Sequence, residues 1–173
     1  MLLKNVNIID PLSGVDFEGD IRIKNGKIED VVEGSLVCEP NEEVFDLEGK
    51  IVAPSFFDTH VHFRDFGESD KETYETGARA AIRGGYTHVC AMANSKPPID
   101  SISKYEEVQE KIKNIPLTIF QSVNMTIGMK GEHLTDFEGL KKIGVKCITD
   151  DGFPIVHEDV MIEALKLSEK YGF

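Results

Sequence analysis

The chain has 173 residues, a formal net charge of −12 and a sequence pI near 4.8, so it offers no basic face to nucleic acid or to an anionic membrane surface. Apolar residues make up 40% of it, with 10 Phe and no Trp, enough to pack one sizeable domain, or a small one joined to part of a larger one. Cys38, Cys90 and Cys147 are scattered and odd in number, and the opening Met1-Leu2-Leu3-Lys4-Asn5 turns polar at once; reduced thiols and a cytoplasmic protein with no membrane span are expected.

The first fifty or so residues read as short strands: Leu2 to Ile9, Gly19 to Lys24, Lys27 to Val32, Glu43 to Leu47 and Lys50 to Val52. Turns at Asn25-Gly26, Glu33-Gly34 and Glu48-Gly49 separate them, and Asn-Gly between alternating segments is a strong hairpin signal. Residues 1–54 are therefore expected to form a small all-β unit.

From Phe56 the pattern becomes strand then helix, four times over. Phe56 to Phe63 is followed by an amphipathic stretch from Asp70 to Arg83, opened by the capping-box spacing of Ser69 and Glu72 and closed by Gly84-Gly85. Tyr86 to Met92 is the second strand, and its helix carries Ile102, Tyr105, Val108 and Ile112 on one face. Leu117 to Val123 leads to a short helix from Thr135 to Ile143, again opened by a capping-box spacing (Thr135 and Glu138), and Val145 to Thr149 leads to a helix from His157 to Tyr171 that stops at Gly172. Strand starts near residues 56, 86, 117 and 145 give the period of a βαβ unit. No Gly-x-Gly-x-x-Gly follows any strand, which counts against a dinucleotide fold and favours a (β/α)8 barrel. A complete barrel takes about 250 residues, so four units amount to its first half.

The chemistry concentrates at Asp58-Thr59-His60-Val61-His62-Phe63-Arg64. Side chains two apart on a strand share a face, so His60, His62 and Arg64 are expected to form one wall. Neutral imidazoles are the commonest metal ligands, and a pair of them can take adjacent corners around a divalent ion such as Zn2+. Arg64 has donors only, and its planar fork suits a substrate carboxylate. Barrel enzymes work at the carboxyl ends of their strands, where Asn94 and the Asp150-Asp151 pair also fall. From the residues alone either acid of that pair could be the third ligand. His88 reads as a packed core or barrel-face residue, and His133 and His157 as solvated. Asp58 and Asp65 are read either as acceptors orienting the histidines or as structural groups at the strand end.

The run from Val52 to Asp65, together with Lys71-Glu72-Thr73-Tyr74-Glu75-Thr76-Gly77, Arg83-Gly84-Gly85-Tyr86-Thr87, Met92-Ala93-Asn94-Ser95-Lys96-Pro97-Pro98-Ile99-Asp100 and Thr149-Asp150-Asp151-Gly152, resembles the dihydroorotases of the amidohydrolase superfamily. The likeness is to the bacterial type, with an aspartate in place of the bridging carboxylated lysine. It implies that His60, His62 and Asp151 ligate zinc, one or two ions per complete site, and that Arg64 and Asn94 hold the substrate carboxylate. The implied reaction is reversible hydrolysis of dihydroorotate to N-carbamoyl-L-aspartate in pyrimidine biosynthesis, by a metal-activated hydroxide. On this reading residues 1–54 are the N-terminal part of a small β-sandwich, and residues 55–173 are the first four βα units of a metal-dependent hydrolase barrel. The remaining ligands and a proton-shuttle aspartate are expected beyond Phe173, leaving these residues inactive by themselves. Implied partners are the small-molecule substrate and a second copy of the chain or aspartate transcarbamoylase. Alternatives are a hydantoinase, an allantoinase or a non-catalytic scaffold. Ser55, Phe66 and Ala93 depart from the family pattern where a glycine and two prolines are usual, which touches backbone shape rather than chemical groups.

Overall fold

Alternating apolar residues build a single mixed sheet in the first part of the chain. The computed structural model describes residues 1–173 and separates into two units, Met1–Ser55 and Phe56–Phe173. In the first, β1 (Leu2–Asp10), β2 (Val15–Lys24) and β3 (Lys27–Glu33) form an antiparallel run, while β4 (Val44–Asp46) and β5 (Ile51–Val52) lie parallel to β1. Asn25 and Gly26 join β2 to β3 with φ of 52° and 72°, the positive pair that a tight hairpin turn requires. Val6, Ile8 and Ile21 are buried on one face. Arg22 crosses to Glu42 with Nε 2.9 Å from Oε1, both side chains at least nine-tenths buried, and its Nη2 donates to Val37 O at 2.7 Å, pinning the loop before β4 to the sheet. The Glu42 carboxyl, held chiefly by that guanidinium and then by the Glu39 backbone N–H, falls to about 2.

The second unit runs β6 (Phe56–Val61), α1 (Tyr74–Arg83), β7 (Tyr86–Ala91), α2 (Ile102–Ile112), β8 (Thr118–Gln121), a 3-10 turn at Ile127–Met129, α3 (Phe137–Lys142) and α4 (Glu158–Tyr171). The strands are parallel in the order β6-β7-β8. Residues 145–149 extend this sheet through one bridge, Val123 to Ile148, with Val123 N donating to Cys147 O at 3.1 Å and Thr149 N to Val123 O at 2.9 Å. The expected fourth strand is thus present as a neighbour of β8 but too briefly paired to form a ladder. The core between sheet and helices is built on Val89, Ile99, Val108, Val123, Leu140 and Val145. No helix is long and apolar enough to cross a membrane.

Two helix starts differ from the sequence expectation. Helix α1 begins at Tyr74, capped reciprocally by Thr73 and Thr76 rather than by Ser69 and Glu72; the Ser69 hydroxyl instead donates to Asp65 Oδ1 at 2.6 Å. Helix α3 is capped by Asp136, whose Oδ1 accepts from Gly139 N at 2.9 Å. Its neighbour Thr135 is turned away, donating to Asn124 O at 2.9 Å. In both cases the hydroxyl of the expected cap is turned to another acceptor, and a residue further along the chain caps the helix instead.

Candidate metal centre

The wall of histidines and arginine is set by one residue that faces the other way. Strand β6 stops at Val61, two residues short of the expected end, and Phe63 turns into the core, 7% exposed, its ring edge-on to Tyr74 at 5.7 Å. With Phe63 inward, its neighbours His62 and Arg64 are thrown to the open side. Gly77 on α1 makes the room: a Cβ there would stand 2.3 Å from a Phe63 ring carbon.

The loop after β6 is then locked to the loop after β7. Lys96 N donates to Phe66 O at 3.1 Å. Gly67 has φ +101°, and a Cβ on it would lie 1.5 Å from Lys96 O, so only glycine permits this crossing. Glu68 accepts from Lys71 and Lys96, and both cations draw its carboxyl below the usual range. Phe66 and Ala93, two of the departures from the family pattern, are both buried. The lock carries Asn94 to Arg64.

The acidic turn divides its two carboxylates between structure and site. Asp150, 3% exposed, accepts from Thr126 N at 3.1 Å and from the Thr126 hydroxyl, holding the segment after β8. Asp151 has φ 53°, and its backbone N–H donates to Thr149 Oγ1 at 2.9 Å. That left-handed step swings its side chain the other way, toward the histidines.

Four groups meet there. His60 Nε2 lies 2.9 Å and His62 Nε2 4.0 Å from Asp151 Oδ1, and the two rings are 5.1 Å apart. Asn94 Nδ2 donates to Asp151 Oδ2 at 2.6 Å, while Asn94 Oδ1 sits 3.2 Å from Arg64 Nη1 and 3.0 Å from His62 Nδ1. One ligand atom from each of His60, His62 and Asp151 falls within 4.8 Å of the others. Two donors held about 2.1 Å from one ion at the tetrahedral angle stand about 3.4 Å apart, and the two measured distances to Asp151 straddle that value. Two nitrogens and a carboxylate oxygen are also a donor set that zinc accepts. The residues present fit such an ion with small side-chain adjustments. His60 is about half exposed and Asp151 largely buried, so solvent reaches the cluster at His60.

Residues 49–171 match the family described as Dihydro-orotase-like. The chain belongs to that family. Among curated dihydro-orotase relatives, the dihydroorotase of Aquifex aeolicus is 39% identical over 173 residues, covering 99% of this chain and 40% of the relative. That of Bacillus subtilis is 42% identical over 166 residues, covering 95% and 38%. The chain thus spans about two fifths of the length of these relatives. Among solved structures, the L-hydantoinase of Arthrobacter aurescens superposes with a TM-score of 0.74 at 18% identity, over 99% of this chain and 38% of that one. At that identity the likeness bears on fold alone, and the fold is the N-terminal part of a (β/α)8 barrel with its preceding β segment.

The five residues singled out by sequence, His60, His62, Arg64, Asn94 and Asp151, come together. Other expectations sort as the packing dictates. His88 is exposed on the sheet face in a ring cluster with Phe57 and Phe120 rather than packed in the core, and His133 and His157 are exposed. Asp58 accepts from His60 N at 3.0 Å and Asp65 from Ser69 and Tyr74 N, so both acids serve the backbone and the loop. The acceptor beside an imidazole is Asn94, a contact that spacing could not reveal because it spans two loops. Nearby, the Cys90 thiol hydrogen-bonds to Cys147; this draws the Cys147 thiol below its usual range and, together with burial, pushes Cys90 up.

Proposed function

We propose that the full-length protein carrying this chain is a zinc-dependent dihydroorotase of the cytoplasm, catalysing reversible hydrolysis of (S)-dihydroorotate to N-carbamoyl-L-aspartate. Residues 1–54 then contribute the first part of a small β-sandwich, and residues 55–173 the first four units of the barrel. The observation carrying this reading is the meeting of a three-donor cluster with a guanidinium at one end of the sheet. His60 and His62 bring neutral nitrogen donors, and Asp151 adds a negative oxygen that offsets the charge of the ion. When bound, the ion polarises an amide carbonyl and lowers the pKa of water enough to make a nucleophile near neutral pH. Arg64 recognises the substrate carboxylate through paired, charge-assisted hydrogen bonds and fixes the ring beside the donors. Free thiols at Cys38, Cys90 and Cys147 suit a reducing compartment.

The test compares a charged ring with an uncharged one. Full-length, zinc-loaded protein should hydrolyse dihydroorotate, and Arg64→Met should cut its kcat/KM by about 10- to 150-fold, the loss of about 1.5–3 kcal/mol expected for a hydrogen bond to a charged group. Turnover of hydantoin should not fall with it. Equal losses on both substrates, or hydantoin turnover with none of dihydroorotate, would sink the assignment.

A further inference from the structure

The amide of Asn94 has no free end. Its Oδ1 is 3.2 Å from Arg64 Nη1 and 3.0 Å from His62 Nδ1, and its Nδ2 is 2.6 Å from Asp151 Oδ2. Arg64 Nη1 also approaches the Asn94 backbone carbonyl, at 3.4 Å. A guanidinium has only donors, so the atom facing Arg64 must be the amide oxygen, and the amide nitrogen must face Asp151. The opposite orientation would set N–H against N–H at Arg64 and oxygen against carboxylate at Asp151. Since Oδ1 can only accept, the proton of a neutral His62 ring resides on Nδ1, and Nε2 is left with its lone pair on the Asp151 side.

We propose that Asn94 is a positioning residue of the metal centre. It sets the tautomer of His62, orients the Asp151 carboxylate through the other end of the same amide, and ties both to Arg64. This rests on the reading of His60, His62 and Asp151 as metal ligands. It adds to Asn94, expected to bind only substrate, a role exerted before substrate arrives. Outer groups that orient ligands in this way change metal affinity about 10- to 100-fold when removed.

The experiment uses the full-length protein in two measurements. In metal-free wild type at pH 8, histidine 15N–1H correlation spectra, assigned by a His62→Gln control, should show His62 protonated at Nδ1. Protonation at Nε2 would overturn the proposal, and this readout needs neither metal nor a variant. Chelator competition should then show Asn94→Leu binding Zn2+ about 10- to 100-fold more weakly than wild type, with its circular dichroism unchanged. A dissociation constant within two-fold of wild type, with only KM for dihydroorotate raised, would mean that Asn94 serves substrate alone. If Asn94→Leu does not fold, the wild-type spectrum decides. If wild type binds no zinc, the metal reading fails while the tautomer result still tests what Asn94 does to His62.

Discussion

Replacing Gly77 with alanine pits helix propensity against packing, and the two predict opposite signs. Within α1, alanine should stabilise by about 1 kcal/mol over glycine. The added Cβ, however, would stand 2.3 Å and 2.4 Å from two Phe63 ring carbons, where carbon–carbon contact is comfortable at about 3.5–4.0 Å. The ring must retreat by more than about 1 Å. It cannot do so freely, because it lies edge-on to buried Tyr74 at 5.7 Å, whose hydroxyl donates to Gln121 Oε1 at 2.9 Å. Overpacking against a ring so confined should cost near the upper end of about 1–3 kcal/mol. The net is a loss of about 2 kcal/mol, or a fall in Tm of about 4 °C at about 2 °C per kcal/mol for a long chain. Scanning fluorimetry on the full-length protein reads it. Adding Phe63→Leu should recover part of the loss, with a coupling of at least about 0.5 kcal/mol. A rise in Tm for Gly77→Ala would refute the claim that this glycine exists to seat Phe63 and, through it, to aim His62 and Arg64.

Gly67→Ala should be harsher, at least about 3 kcal/mol, since its Cβ meets backbone Lys96 O at 1.5 Å and φ is +101°; a Tm change under about 2 °C would show that the two loops separate at little cost. Asp150→Asn should leave zinc stoichiometry intact while destabilising by about 1–3 kcal/mol, because Thr126 loses a buried acceptor. Asp151→Asn should do the reverse, losing zinc with little change in the unfolding temperature of the metal-free protein, and elemental analysis beside a melt in chelator separates the two acids. The Glu42 carboxyl sits at about 2 against an ordinary 4.5, so its contribution is fully present above about pH 4.5 and is lost as pH falls toward 2. Glu42→Gln should therefore flatten the decline in stability between those pH values, and an unchanged acid melt would count against the Arg22 pairing.

The parts of this molecule legible in sequence are those governed by local rules. Asn25-Gly26 declared a hairpin, the apolar spacing of Tyr105, Val108 and Ile112 declared the buried face of α2, and the thirty-residue rhythm of strand and helix declared parallel units. His60, His62 and Arg64 were recognisable because alternation along a strand is local. What sequence missed depends on competition between distant groups. Ser69 had the spacing of a cap, but its hydroxyl turns to Asp65, and α1 starts at Tyr74, capped by Thr73. The amide of Asn94 looked like a ligand for substrate, and only folding reveals that His62, Arg64 and Asp151 converge on it from two other segments. The residues alone left the division of labour between Asp150 and Asp151 open and only the resemblance pointed to Asp151, since the division turns on the left-handed backbone at Asp151 and on a threonine twenty-four residues away.

Anomalous diffraction at the zinc edge from crystals of the full-length protein addresses the shared ion directly. A peak about 2.0–2.2 Å from His60 Nε2, His62 Nε2 and a carboxylate oxygen of Asp151 is the predicted result. A peak bound by other residues, or by the histidines with Asp151 turned away from it, would contradict the account.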